Sequence, residues 1–77
     1  MENMDKYIKI FMDTFEEEEE AIKTYCLNVT EKWNSVAHMN LIVGLEDEFD
    51  IELEPDDILA ITSFEKGIEV LKKYNIF

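Results

Sequence analysis

Residues that break helices are scarce in this chain: its 77 residues include two glycines and one proline. A β-sandwich or barrel of this length needs many tight turns, and those turns depend on glycine, proline and asparagine. A chain this short also has room for only one modest hydrophobic core. We therefore predict a single domain over residues 1–77 with an all-α fold.

Apolar spacing predicts the first helix over residues 3–15. One stripe of that helix consists of Met4, Ile8, Phe11 and Phe15, with Tyr7 beside it. Five glutamates follow at 16–20, and like charges one turn apart on a helix repel each other. We expect this run to extend or fray the end of the helix and to lead into a long connection.

Two more helices are indicated by their starting residues. Asn34 and Ser35 both favour the N-cap position, and the apolar pattern that follows predicts a second helix over residues 36–49. Pro55 suits the first position of a short third helix, residues 55–61, because proline is favoured where no backbone N–H is needed.

The start of a fourth helix is predicted by Thr62 and Glu65, which have capping-box spacing. Lys72 and Lys73 near its end complement the negative pole of the helix dipole. The resulting architecture is a small four-helix bundle with three longer helices and a short third one.

The second helix is apolar on more than one face. The stripe suited to the core consists of His38, Leu41 or Ile42, Leu45 and Phe49. The other stripe consists of Val36, Met39 and Val43, followed by Asp47. One helix of a small domain cannot easily bury both, so the second stripe is a candidate docking surface; the alternative is a fully buried helix under a solvated acidic face.

Nineteen acidic residues against seven lysines give a net charge of -12. This charge repels nucleic acid and anionic lipid and attracts basic protein surfaces. We expect an acidic rim around the second stripe, formed by Glu46, Asp47, Glu48, Asp50, Glu52, Glu54, Asp56 and Asp57. The expected partners are therefore basic proteins, with no nucleic acid and no membrane.

Catalytic and metal-binding residues are few. Cys26 and His38 form the only conceivable nucleophile pair, and no known signature surrounds either, so we expect a non-catalytic chain in which His38 packs in the bundle. The acidic stretch 47–57 lacks the glycine of an EF-hand loop, which argues against a metal site. A lone cysteine, short apolar runs and no signal-peptide core predict a cytoplasmic protein.

Residues 33–42, Trp-Asn-Ser-Val-Ala-His-Met-Asn-Leu-Ile, and residues 45–53, Leu-Glu-Asp-Glu-Phe-Asp-Ile-Glu-Leu, resemble the acyl carrier protein signature. In that family an Asp-Ser-Leu motif opens the second helix, and its serine receives 4'-phosphopantetheine from coenzyme A. Residues 62–66 resemble the start of the family's last helix. The resemblance implies that Ser35 carries the phosphopantetheine arm and holds acyl or aminoacyl groups as thioesters.

The resemblance also implies the partners. These are a phosphopantetheinyl transferase and acyl-activating and acyl-transferring enzymes, acting on a carrier that we expect to be a monomer. The expected partner-binding residues are Asn34, Val36, Met39, Val43, Glu46 and Asp47. An acyl chain would be sheltered by Met39, Ile42, Ile61 and Ile68.

Two positions depart from the family's motif. Asn34 replaces the usual aspartate and Val36 the usual leucine, which predicts a narrower choice of transferase. The competing interpretation is a carrier-fold protein that is never modified and acts as an interaction or regulatory module through the same acidic helix. The two interpretations differ only in what happens at Ser35. For a carrier, the sequence does not identify the cargo.

Overall fold

The computed structural model of the protein describes residues 2–77. It contains five helices, which are α1 (Glu2–Phe15), α2 (Glu19–Ile22), α3 (Ser35–Phe49), α4 (Pro55–Ala60) and α5 (Phe64–Lys72). The described residues contain no strand; the one β-bridge joins Cys26 and Ser63. The predicted all-α class is therefore confirmed. The predicted number of four helices is wrong, because α2 is an additional short helix; the other four begin within two residues of their predicted starts.

An aromatic cluster forms the centre of the core. Tyr7, Phe11 and Phe15 are buried on the inner face of α1, whereas Met4 and Ile8 are only partly buried. Phe11 and Phe15 both contact Trp33, with ring centroids 5.6 and 5.2 Å apart. The rest of the core consists of Ile22, Tyr25, Leu41, Ile42, Leu45, Leu53, Ile61, Phe64, Val70 and Leu71.

The glutamate run does not extend α1, so one of the two outcomes expected for it is wrong. Glu16 adopts a left-handed backbone with a φ of 52°, and the helix ends at Phe15. A separate short helix, α2, then begins within the run, and Ile22 and Tyr25 are buried in the core. Burial of the Ile22 and Tyr25 side chains stabilises this arrangement, which the charge pattern does not predict.

Glu17 also offsets the repulsion within the run, because it has two partners. Its Oε2 accepts hydrogen bonds from the Tyr25 hydroxyl at 2.7 Å and from Lys32 Nζ at 3.2 Å. The hydrogen bond from Tyr25 lowers the pKa of Glu17 most, and the bond from Lys32 lowers it further. Burial, followed by the bond to Glu17, raises the pKa of Tyr25 to about 12.

Helix α5 is capped by Ser63, not by Thr62 with Glu65, so the predicted capping box was wrong by one residue. The Ser63 hydroxyl accepts a hydrogen bond from the Lys66 N–H at 3.1 Å. Thr62 is used differently, since its carbonyl accepts from the Leu27 N–H at 2.9 Å. That bond ties the long α2–α3 connection to the segment before α5.

Asp57 lies inside the protein and not in the acidic rim where the sequence placed it. Its carboxylate accepts from Lys73 Nζ and from the Tyr74 hydroxyl, both at 2.5 Å, and the side chain is buried. Tyr74 in turn accepts from the Glu54 N–H at 3.1 Å. The two bonds to Asp57, led by that from Lys73, lower its pKa and join α4 to the end of α5.

We expect Asp57→Asn to lower the free energy of unfolding at neutral pH by about 2 kcal/mol, because it weakens hydrogen bonds to a charged group. The folded-state pKa of Asp57 lies below its ordinary value of 3.8. The stabilisation is therefore present above that ordinary value and is lost as the pH falls through the folded-state pKa. Urea denaturation from neutral pH down to about pH 2 should show the wild type and the variant converging in stability.

Asp56→Asn is the matched control, because Asp56 is the exposed neighbour in the same helical turn. Its substitution should change stability by less than about 0.5 kcal/mol at every pH. A wild-type advantage over Asp57→Asn that stays constant with pH would contradict the assignment of an ionised, hydrogen-bonded Asp57.

Candidate functional site

The start of helix α3 is formed by Asn34, which acts as its N-cap. Asn34 has an extended backbone, and its Oδ1 accepts a hydrogen bond from the Ala37 N–H at 2.9 Å. Ser35 is the first helical residue and is exposed. The predicted start at the Asn34–Ser35 pair is confirmed, and the capping bond comes from Asn34. The Ser35 hydroxyl is therefore not needed to cap the helix.

A hydrogen-bonded loop holds the chain immediately before this helix. Asn28, with a left-handed φ of 62°, donates its N–H to the Trp33 carbonyl at 2.9 Å. The Trp33 N–H donates to the Thr30 carbonyl at 2.9 Å, and the Thr30 hydroxyl accepts from the Cys26 N–H at the same distance. Trp33 itself is fully buried. Ser35 thus lies two residues after a side chain anchored in the core.

His38, one turn into α3, is buried and uses both ring nitrogens. Trp33 Nε1–H donates to Nδ1 at 3.0 Å, and Nε2 lies 2.8 Å from the Ile58 carbonyl oxygen of α4. An indole N–H can only donate, so Nδ1 is the acceptor and Nε2 carries the proton of a neutral ring. The predicted packing role of His38 is confirmed, and neither nitrogen is free to accept a proton from Cys26.

Helix α3 presents two apolar faces, as its sequence predicts. His38, Leu41, Ile42 and Leu45 are buried, and Phe49 is partly buried. The other stripe faces solvent: Val36 is 72% exposed, Met39 50% and Val43 51%, and Asp47 is exposed as well. The second stripe therefore lies at the surface, as predicted, and is not buried in the bundle.

Adjacent carboxylates at the end of α3 have different environments. Glu46 is half-buried, and its Oε2 accepts from the Leu53 N–H at 2.9 Å, which fixes the loop between α3 and α4. Asp47 is exposed. The exposed part of the predicted acidic rim consists of Asp47, Glu48, Asp50, Glu52, Glu54 and Asp56.

Within residues 2–77 no cluster of three or more His, Cys, Asp or Glu side chains is arranged to hold a metal ion.

An open groove of about 350 Å³ lies between α1 and α3. It is lined by Ile10, Asp13, Thr14, Gly44, Asp47 and Glu48. The residues expected to shelter an acyl chain do not line it: Ile42 and Ile61 fill the core, Ile68 is partly buried against the core, and Met39 faces solvent. The groove is acidic and shallow, so it does not suit an acyl chain.

The chain has no match among protein families, curated proteins or solved structures. In the part of the chain that the structure describes, no helix is both long and apolar enough to span a bilayer.

Proposed function

We propose that this chain is an acyl carrier protein with the fold of that family, in which Ser35 carries a 4'-phosphopantetheine arm. The observation that carries the proposal is that the two residues at the start of α3 have different roles, because Asn34 makes the capping hydrogen bond and Ser35 does not. Asn34 caps α3, so the exposed Ser35 hydroxyl is available for attachment at a helix start that Trp33 and His38 hold in place.

The surroundings of Ser35 suit a phosphate diester. The positive end of the α3 dipole and the free N–H groups of its first turn favour an attached anion. The first turn of α3 contains no acidic residue, in a chain with nineteen of them. Asn34 adds none, because it caps the helix without a charge. The phosphate would therefore meet no carboxylate in the first turn of the helix that carries it.

The cofactor would supply the thiol that holds the acyl group, and the protein would supply recognition. Val36, Met39 and Val43 form an exposed apolar stripe, with Asp47 at its end. The net charge of -12 would steer basic partners to this stripe. Rim charges act mainly on the association rate and little on the dissociation rate, so these partners would also be released easily. The partners are a phosphopantetheinyl transferase and acyl-activating and acyl-transferring enzymes in the cytoplasm, and the carrier is a non-catalytic monomer.

The two serines of the chain provide the test, because Ser63 caps α5 and Ser35 caps nothing. Ser35→Ala should abolish modification and change the unfolding free energy by less than about 0.5 kcal/mol. Ser63→Ala should leave modification intact and cost about 1 kcal/mol of stability. The measurements are the intact mass after incubation with coenzyme A and several transferases, and urea denaturation of each variant.

An adduct that persists in Ser35→Ala would reject the proposed attachment site. No adduct on the wild type, from any transferase tried or in protein from its native host, would favour the unmodified interaction module instead. The Asn34→Asp variant is included because it restores the aspartate of the family's motif while Val36 stays unchanged, and we expect it to be accepted by more transferases than the wild type.

A further inference from the structure

The centre of the bundle is filled by aromatic rings. The ring centroid of Phe11 lies 4.8 Å from that of Tyr7 and 5.2 Å from that of Phe64. The Trp33 centroid lies 5.6 Å from that of Phe11. These are distances between directly packed rings, and Tyr7, Phe11 and Trp33 are fully buried. An acyl chain could enter this part of the core only by displacing a ring.

The two glycines of the chain show how closely the helices pack. A Cβ at Gly67 of α5 would lie 2.1 Å from the Tyr7 hydroxyl oxygen and 3.3 Å from Ile61 Cγ2. A Cβ at Gly44 of α3 would lie 3.2 Å from Ile10 Cγ2 of α1. All three distances are shorter than the optimal contact of about 3.5–4.0 Å between carbon atoms. The contacts of α1 with α5 and of α1 with α3 therefore have no room at these points for one methyl group, and an acyl chain needs room for several.

Helix α4 is held to both neighbouring helices by hydrogen bonds. His38 Nε2 of α3 lies 2.8 Å from the Ile58 carbonyl oxygen, and Lys73 and Tyr74, which follow α5, donate to Asp57. An acyl chain that entered on either side of α4 would have to widen an interface that these bonds hold closed. Separating them would leave polar groups at a buried or half-buried position without partners, which opposes entry.

Two surface features remain, and neither can enclose an acyl chain. One is the groove between α1 and α3, whose lining includes the carboxylates of Asp13, Asp47 and Glu48. Carboxylates are better solvated by water than by methylene groups. The other is the exposed stripe of Val36, Met39 and Val43. It lies on a convex helix surface, which can cover only one side of a chain, whereas sites that bury a ligand are concave.

We infer that a group held on the Ser35 arm stays outside the bundle, in water, and that it is a short polar acyl group, such as a hydroxyacyl or aminoacyl group. A long apolar chain held in water would bind to other apolar surfaces, whereas hydroxyl and amino groups are well hydrated. This cargo class rests on the proposed function of Ser35, and it selects among the cargoes that the sequence leaves open.

A series of loaded arms tests whether the bundle shelters its cargo. Acetyl, hydroxybutyryl, octanoyl and dodecanoyl arms are each transferred to Ser35 from the corresponding coenzyme A thioester. The four melting temperatures should agree within about 2 °C, because no chain gains a binding site in the folded state. Hydroxylamine should cleave each thioester within about twofold of its rate in coenzyme A, because water is not excluded from it. A melting temperature that rises with chain length, or slower cleavage of the dodecanoyl thioester, would overturn the inference.

Ile42→Ala is the matched control, because it makes room for a chain. Ile42 is fully buried about two turns after Ser35, and its truncation leaves an apolar cavity. A dodecanoyl arm should therefore raise the melting temperature of this variant by about 3 °C or more over its acetyl form. Benzene tests the same difference without a transferase, since it binds to dry apolar cavities. It should stabilise the unmodified Ile42→Ala variant and not the unmodified wild type; equal stabilisation of both would refute the filled core.

The cargo of the protein from its native host tests the chemical class. The intact mass before and after treatment with hydroxylamine should show the loss of a small polar acyl group, and the loss of a long fatty acyl group would reject the proposed class. If Ser35 carries no arm in the host and accepts none from any transferase, the proposed function fails, and the cargo class fails with it. If Ser35 is modified but holds a long apolar chain, Ser35 remains the attachment site and only the cargo class is rejected.

Discussion

Gly67→Ala is expected to lower the melting temperature by on the order of 15 °C, a large loss for a single methyl group. A Cβ at Gly67 would lie 2.1 Å from the Tyr7 hydroxyl oxygen, far inside van der Waals contact. Tyr7 cannot move aside easily, because its ring is fully buried and its hydroxyl donates to the Phe64 carbonyl at 2.7 Å.

The cost of the clash is larger than the gain in helix propensity. Alanine is better than glycine inside a helix by about 1 kcal/mol. Overpacking costs about 3 kcal/mol at a rigid site, and displacing the Tyr7 hydroxyl from Phe64 costs about 1 kcal/mol more. The net loss of about 3 kcal/mol should be visible in thermal and urea denaturation.

Tyr7→Phe provides the matched test, because it removes the atom responsible for the clash. In that background the closest atoms to a Cβ at residue 67 are Tyr7 Cζ at 3.2 Å and Ile61 Cγ2 at 3.3 Å, which small shifts can accommodate. The double variant should therefore be more stable than Gly67→Ala alone. If Tyr7→Phe made Gly67→Ala worse, the contact between Tyr7 and Gly67 would not be the cause of the loss.

The helices could be predicted from the sequence wherever local signals were strong. The apolar pattern over residues 36–49, after Asn34 and Ser35, predicted α3, and Pro55 predicted the start of α4. The two-faced pattern of α3 also predicted that Val36, Met39 and Val43 would be exposed. These features depend on residues within one or two turns of each other, which is the range over which periodicity and capping act.

Features that depend on distant residues were missed. The choice of Ser63 over Thr62 as the α5 cap depends on Thr62 binding Leu27, which lies far away in the chain. Burial of Asp57 depends on Lys73, sixteen residues later. In both cases the local pattern fitted two arrangements equally well, and a tertiary contact selected one.

The candidate site, too, could be predicted from the sequence only in part. Ser35 could be selected from the sequence, but its availability depends on which of two good capping residues makes the bond to Ala37. The two bonds of His38 had no sequence signal beyond its place on the core stripe. Apolar neighbours in the sequence predict that a histidine is buried. They do not predict which groups its two ring nitrogens will bind.

Trp33→Ala is expected to have the other large effect, a loss of about 4 kcal/mol of unfolding free energy. Trp33 is fully buried against Phe11 and Phe15, and alanine would leave a cavity at the centre of the aromatic cluster. A domain of this size has about 4–12 kcal/mol of stability in total, so a large part of it would be lost. Thermal denaturation followed by circular dichroism should show a melting temperature lower by on the order of 20 °C.

Trp33→Phe separates packing from hydrogen bonding at the same position. Phenylalanine keeps an aromatic ring but leaves His38 Nδ1 without its donor, which should cost about 2 kcal/mol. In the His38→Gln background that bond is already absent, so Trp33→Phe should cost distinctly less there than in the wild type. Equal costs in the two backgrounds would mean that the Trp33–His38 bond adds nothing to stability. In that case the start of α3 would be held by ring packing alone.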